Sequence, residues 1–129
     1  MNLPADLLYT KDHEWVKITD NVATMGITDY AQGELGDIIF IEFPEINDTF
    51  QNEDILGTIE AVKTVADLFS PISGKVIEIN QRLENEPELT NSDPYEAGWI
   101  IKMEIDDKDS INLLTSKEYE KLIWYHINL

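Results

Sequence analysis

The stretch GTIEAVKTVADLFSPISGKV, Gly57 to Val76, holds two strand-like runs that meet at Ala61-Val62-Lys63-Thr64 and closes on a Ser-Pro-Ile-Ser-Gly turn. Two such runs around a short junction read as a hairpin over about residues 55–70. A lysine at its tip, Lys63, would project into solvent, where another enzyme could acylate it and the attached group could sweep freely. The local pattern leaves two readings open, an exposed turn lysine or an attachment point. Lys17 and Lys102 also have apolar neighbours, but they sit in longer alternating runs, where the solvent face of a strand accounts for them.

Outward from this segment, most of the chain reads as short strands. Trp15 to Ile18, Ile38 to Phe43, Ile55 to Glu60, Val65 to Phe69, Lys75 to Ile79 and Trp99 to Ile105 are rich in β-branched and aromatic residues. Gly, Pro, Asn and Asp lie between them, a spacing that predicts a barrel or sandwich rather than a parallel sheet with crossover helices. Two helices break the pattern. Thr28 caps one running through Ala31 and Leu35, with Gly36 as its left-handed terminator. Thr115 and Glu118 have capping-box spacing for the second, and Leu114 with Tyr119 fits a hydrophobic staple. Gln81 to Gly98 is polar, carries Pro87 and Pro94, and is expected to wrap as an ordered loop. GDIIFIEF and SGKVIEIN echo one another weakly, as two half-sheets facing each other would.

With 129 residues, the chain is expected to form one domain, able to bury about two-thirds of its unfolded surface. It has no cysteine, which removes disulfides and thiolate metal sites and fits a reducing compartment. Its 26 acidic residues against 9 basic ones give a formal charge of −17. That field opposes phosphate backbones and anionic lipid, so neither nucleic acid nor membrane is expected as a partner. The charge reads either as plain solubility or as long-range steering toward partners with basic docking patches. MNLPADLLYT has neither the basic start and apolar run of a secretory signal nor the arginines of a transit peptide, and no stretch is long and apolar enough to span a bilayer. The expected location is cytoplasmic.

A catalytic reading lacks parts. The chain has two histidines, His13 and His126, no serine in a nucleophile-elbow pattern and no phosphate-binding glycine loop. Asp106, Asp107 and Asp109 lack the glycine and terminal glutamate of a calcium loop and read as a solvated turn. His13 between Asp12 and Glu14 has no second histidine close in sequence, so no metal site is expected.

Five segments in order nevertheless resemble one family, the H proteins of the glycine cleavage system, over about Leu7 to Tyr125. YTKDHEW is similar to the family's opening strand, and GITDYAQGELGDI to its first-helix segment. IEAVKTV is similar to the lipoyl-lysine tip, with Lys63 at the modified position and Glu60 at the acid three residues before it. SPISGKVIEIN and NEPELTNSDPYEAGWIIKM resemble the following strand and the loop of Pro-Leu-Asn and Pro-Tyr-Gly-Trp elements. One departure is Ala61, where the family commonly has serine.

The resemblance implies a mainly β barrel-sandwich hybrid with short flanking helices and a single lipoyl-carrier domain over residues 1–129. Lipoate would be joined to Lys63 in amide linkage by a lipoate ligase or a lipoyl/octanoyl transferase, with Glu60 read by the modifying enzyme. Glycine decarboxylase, a pyridoxal-phosphate enzyme, would load an aminomethyl group, and the aminomethyltransferase would pass the one-carbon unit to tetrahydrofolate. Dihydrolipoyl dehydrogenase would reoxidise the arm. The protein would be a non-catalytic, monomeric carrier. Because the loaded arm carries a cationic amine, and a buried charge needs a partner, Glu14 and Asp67, with Asp12, are expected to line a cleft for it. Tyr9, Trp15, Tyr95 and Trp99 would pack in the core or shape that cleft, and the C-terminal WYHINL is expected to pack on the barrel. Alternatives are a lipoate relay, a free-standing carrier for 2-oxoacid dehydrogenase complexes, a biotin carrier (whose lysine is typically flanked by methionines rather than Val62 and Thr64), and an enzyme or interaction module.

Overall fold

The computed structural model describes residues 1–107 and 111–128. Among the described residues, nine strands, β1 (Leu8–Tyr9), β2 (Glu14–Thr19), β3 (Val22–Ile27), β4 (Ile38–Glu42), β5 (Thr49–Phe50), β6 (Ile55–Ala61), β7 (Val65–Phe69), β8 (Gly74–Ile79) and β9 (Ile101–Ile105), form two antiparallel sheets. One sheet has the order β1-β2-β3-β9-β8-β5, the other β4-β6-β7. The sheets do not close into a single barrel; the arrangement is a barrel-sandwich hybrid. The two echoing segments contribute β4 and β8, one to each sheet.

Apolar alternation drives the packing. Val16, Met25, Ile41, Leu56, Ile59, Leu68, Val76, Ile101 and Met103 point into one buried cluster drawn from both sheets. A second cluster gathers Leu7, Tyr9, Trp15, Tyr119 and Ile123, with Tyr95 and Trp99 packed against it. The aromatic set of the sequence reading therefore serves the core. Gly26 is paired with Trp15 across β2 and β3, and a Cβ there would meet the indole ring at 2.7 to 3.0 Å. The indole instead takes up that space and donates through Nε1 to the Pro94 carbonyl at 2.9 Å.

Helix α1 (Asp29–Leu35) begins at Thr28, whose hydroxyl accepts from Ala31 N, and ends at Gly36 with φ 78° and ψ −156°. That terminator is not the left-handed helical conformation expected but an extended mirror region open mainly to glycine. Between Gln81 and Gly98 the expected loop contains two short helical turns, a 3-10 turn at Gln81–Glu84 and α2 (Leu89–Ser92). Helix α3 (Ser116–Asn128) starts at the expected capping box, Thr115 N donating to Glu118 Oε1 at 2.9 Å and Glu118 N to Thr115 Oγ1 at 3.2 Å. Its buried face is Tyr119 and Ile123. The expectation that WYHINL packs on the barrel is corrected for Trp124, Tyr125 and Ile127, which are 57–60% exposed because they lie on the face of α3 turned away from the sheets. Leu129 lies outside the described residues, as does Asp109 of the acidic cluster. No helix is long and apolar enough to cross a membrane among the described residues.

Candidate functional site

The β6–β7 hairpin is pinned by its backbone and open at its side chains. Ala61 N donates to the Thr64 carbonyl at 2.8 Å, closing the turn. Val62 N donates to the Asp37 carbonyl at 3.0 Å, tying the tip to the residue before β4. Val62, Lys63 and Thr64 are exposed. Among the described residues the Lys63 ammonium has no ion pair or side-chain hydrogen bond, whereas Lys11, Arg82 and Lys102 each engage a carboxylate. A fixed backbone beneath a free amine is the geometry an attachment point requires.

Along β6 the residues alternate, so Ile59 and Ala61 are buried while Glu60 between them is exposed, in register with Phe40 on one side and Val65 on the other. Glu60 is thus displayed beside the tip, outside the cleft described below. Ala61 is 4% exposed, so the departure from serine falls on a position that a visiting enzyme does not meet.

Asp12, Glu14 and Asp67 share one cleft of about 300 Å³, whose walls also include His13, Tyr30, Glu34, Leu35, Ile59 and Ala66. Asp67 lies on β7 four residues beyond Lys63, about 13 Å along a strand. Glu14 begins β2 and is 2% exposed. Thr10 Oγ1 donates to its Oε1 at 2.7 Å and Phe69 N to its Oε2 at 3.0 Å, so this carboxyl joins the wall of the cleft to the end of the lysine hairpin. Burial outweighs those two bonds and pushes the Glu14 carboxyl up to about 8. Glu14 is therefore largely neutral at pH 7, and a cation entering the cleft would favour its ionised form. A recess of about 190 Å³ also borders Asp12 and Glu14. There the Lys11 ammonium already sits 2.6 Å from Glu53 and 3.3 Å from Asp12, so the larger cleft is the one without a resident cation.

The raised Glu14 carboxyl makes a pH prediction. Between about pH 4.5 and 8 the folded chain keeps a proton on Glu14 that the unfolded chain has lost, so this group subtracts stability as pH rises through that window. Glu14→Gln, which mimics the neutral acid, is expected to flatten the decline, by on the order of a few kcal/mol at the alkaline end. Urea unfolding at pH 5 and pH 8 measures it, and equal slopes in both proteins would refute the assignment.

Sequence reasoning missed the other walls. His13 Nδ1 lies 2.8 Å from the Tyr119 hydroxyl, and its ring is 5.7 Å from that of His126. Tyr119 and His126 come from α3, at the far end of the chain, and nothing in the local pattern around His13 announces them. Among the described residues no three His, Asp or Glu side chains form a metal-binding group.

The family model described as Glycine cleavage H-protein matches residues 7–126. Glycine cleavage system H proteins of Listeria monocytogenes and Listeria welshimeri are 53% and 54% identical to the chain, over 95% and 94% of it and 99% and 98% of their own lengths. The crystal structure of a glycine cleavage system H protein from Mycobacterium marinum superposes with a TM-score of 0.88 at 35% identity, covering 94% of this chain and 98% of that one.

Proposed function

Because the chain belongs to the glycine cleavage H-protein family, we propose that Lys63 is its lipoyl attachment point and that the acidic cleft beside the hairpin shelters the loaded arm. The protein is the lipoyl carrier of glycine cleavage, a carrier subunit working with the enzymes of that system. The observation that carries the residue assignment is the exposed Lys63 amine, unpaired among the described residues, above a hydrogen-bonded hairpin tip. Lipoate bound there supplies a disulfide–dithiol couple and a sulfur able to hold an aminomethyl unit.

The chain's own residues do the rest. Glu60, exposed three residues before Lys63, gives a modifying ligase or transferase an acidic landmark that does not compete for the amine. Ile59, Leu35 and Ala66 exclude water from the cleft, while Glu14, Asp67 and Asp12 offer carboxyl oxygens to an ammonium. Glu14 is the strongest of the three because it is already desolvated and held in place by two donors. The partners in this reading are glycine decarboxylase, the aminomethyltransferase, dihydrolipoyl dehydrogenase and a lipoate ligase or lipoyl/octanoyl transferase. They meet one monomeric carrier domain, residues 1–129, in the cytoplasm. Family membership favours glycine cleavage over service to 2-oxoacid dehydrogenases.

A reconstituted glycine decarboxylation and exchange assay tests the proposal: the lipoylated chain should support exchange, and a lipoylated chain that supports none contradicts it. The cleft has its own test in the lifetime of the loaded carrier. Glu14→Ala should speed spontaneous loss of the aminomethyl group on the order of tenfold, the scale of a hydrogen bond to a charged group. Asp67→Ala, at an exposed position, should do so only a few-fold. Unchanged lifetimes in both variants would remove the cleft from the account.

A further inference from the structure

His13 stands at φ 69°, a left-handed conformation that costs a side-chain-bearing residue more than it costs glycine. The backbone is locked there, His13 N donating to the Thr10 carbonyl at 3.2 Å and Thr28 N to the His13 carbonyl at 3.0 Å. The His13 side chain is carried on that fixed backbone. Its ring lines the cleft, and Nδ1 meets the Tyr119 hydroxyl at 2.8 Å. The same hydroxyl lies 2.8 Å from Thr28 Oγ1, which already accepts from Ala31 N at 3.1 Å.

In the direction that leaves no hydroxyl proton of this relay without an acceptor, the Thr28 hydroxyl proton goes to Tyr119 Oη, and the Tyr119 proton goes to His13 Nδ1. Nε2 then carries the only ring proton, and every hydroxyl in the chain of bonds both donates and accepts. A protonated imidazole would have to donate from Nδ1, reversing the relay and leaving the Thr28 hydroxyl proton without its acceptor. Tyr119 is well placed to enforce the neutral form, being fully buried and stacked on Tyr9 with ring centroids 4.8 Å apart.

We propose that Tyr119, reaching in from the C-terminal helix, is a positioning residue for the cleft. Its hydroxyl fixes His13 as the neutral, Nε2-protonated imidazole, so that this wall does not repel a cationic arm. The identity of the cation rests on the carrier reading above; the relay does not. The groups facing His13 are Asp12 beside it in the loop, Glu14 of β2, Tyr30 and Glu34 of α1, Tyr119 and His126 of α3, and Asp67 of β7 in the same cleft. Burial and His126 hold the ring toward neutrality, against the opposing pull of Asp12 and Glu34. Acid that overcomes this balance places a cation in the cleft wall and reverses the relay, so arm retention should fail as His13 protonates.

The test reads the ring directly. Nitrogen-15 NMR of the full, unlipoylated chain should show His13 as a single neutral Nε2–H tautomer at pH 7, with the Tyr119 hydroxyl proton protected from exchange. Tyr119→Phe keeps the stacked ring and removes only the hydroxyl. It should give mixed tautomers and a His13 titration midpoint shifted upward. On the loaded carrier the same variant should lose its cargo about three- to tenfold faster, the scale of one hydrogen bond, and the excess should grow below pH 7. The rate of Lys63 lipoylation should not change. A freely exchanging Tyr119 hydroxyl in the wild-type chain, or a His13 ring unaltered by Tyr119→Phe, overturns the proposal, as does an altered ring with an unaltered cargo lifetime. Failure of lipoate to attach at Lys63 would instead refute the carrier reading, while the ring spectra still decide the relay.

Discussion

Lys63→Arg is expected to reduce glycine-dependent turnover to background while leaving the thermal midpoint within about 2 °C of wild type. The two halves of this result have separate causes. Arginine keeps a positive charge on a long stem, and position 63 has no side-chain partner among the described residues, so the fold loses nothing. Its guanidinium, however, stays protonated throughout the neutral range and offers no free amine for acylation. Without an arm, the chain lacks the sulfur that the carrier reading proposes for holding the one-carbon unit. Turnover assays with the partner enzymes, beside a melting curve, measure both halves. Residual exchange at a tenth of the wild-type rate would mean that another residue carries cargo.

The second large effect is on the platform beneath that lysine. Gly57 sits where β6 slips register against β7, and its backbone runs against β4 so closely that a Cβ would fall on the Glu42 carbonyl oxygen. The obstructing atom is backbone, held in the β4–β6 ladder by the pairing of Glu42 with Thr58. It cannot swing aside as a side chain would. Gly57→Ala is therefore expected to cost about 3 kcal/mol or more, beyond the usual range for an added methyl in a packed core. That corresponds to a midpoint lower by roughly 10 °C. The loss should reach function as well, because separating β4 from β6 also frees the Val62–Asp37 bond that holds the tip. Calorimetry on the purified variant measures the effect, and a drop of under about 2 °C would show that the sheet relaxes where it is described as rigid.

How legible these features were in the sequence depended on whether their causes were local. The hairpin, the strand positions β2, β4, β6, β7, β8 and β9, and both long-helix starts follow from alternation, capping residues and turn residues within a few positions, and all could be read. Strand β3 could not. Its sequence VATMGI intersperses Val22, Thr24 and Ile27 with alanine, methionine and glycine, which dilutes the strand signal, and Gly26 is there for the Trp15 indole, a tertiary reason. The two-residue strands β1 and β5 exist only through their partners, β2 and β8. Trp124, Tyr125 and Ile127 misled in the opposite direction: apolar residues in a helix suggested burial, but it is Tyr119, Leu122 and Ile123 that pack against the body of the protein.

The site divides along the same line. The tip position of Lys63 follows from the hairpin, but the local pattern left it open between a turn lysine and an attachment point, and its proposed role and that of Glu60 came from family resemblance. Glu14, Asp67 and Asp12 were reached through family resemblance together with the requirement that an ammonium needs carboxylates, and the structure places all three on one cleft. The near-neutral state of Glu14 was not readable, because it depends on how deeply β2 is buried beneath the hairpin. The Tyr119–His13–Thr28 relay was beyond reach for a simpler reason: three side chains from distant parts of the sequence meet at one hydroxyl.

Mass spectrometry of the intact protein, produced in cells supplied with lipoate, addresses the decisive point. One lipoyl adduct, mapped by peptide fragmentation to residue 63 and missing from the arginine variant, is the outcome expected. A chain that stays unmodified in cells able to lipoylate other proteins, or that bears its adduct on a different lysine, would contradict the account.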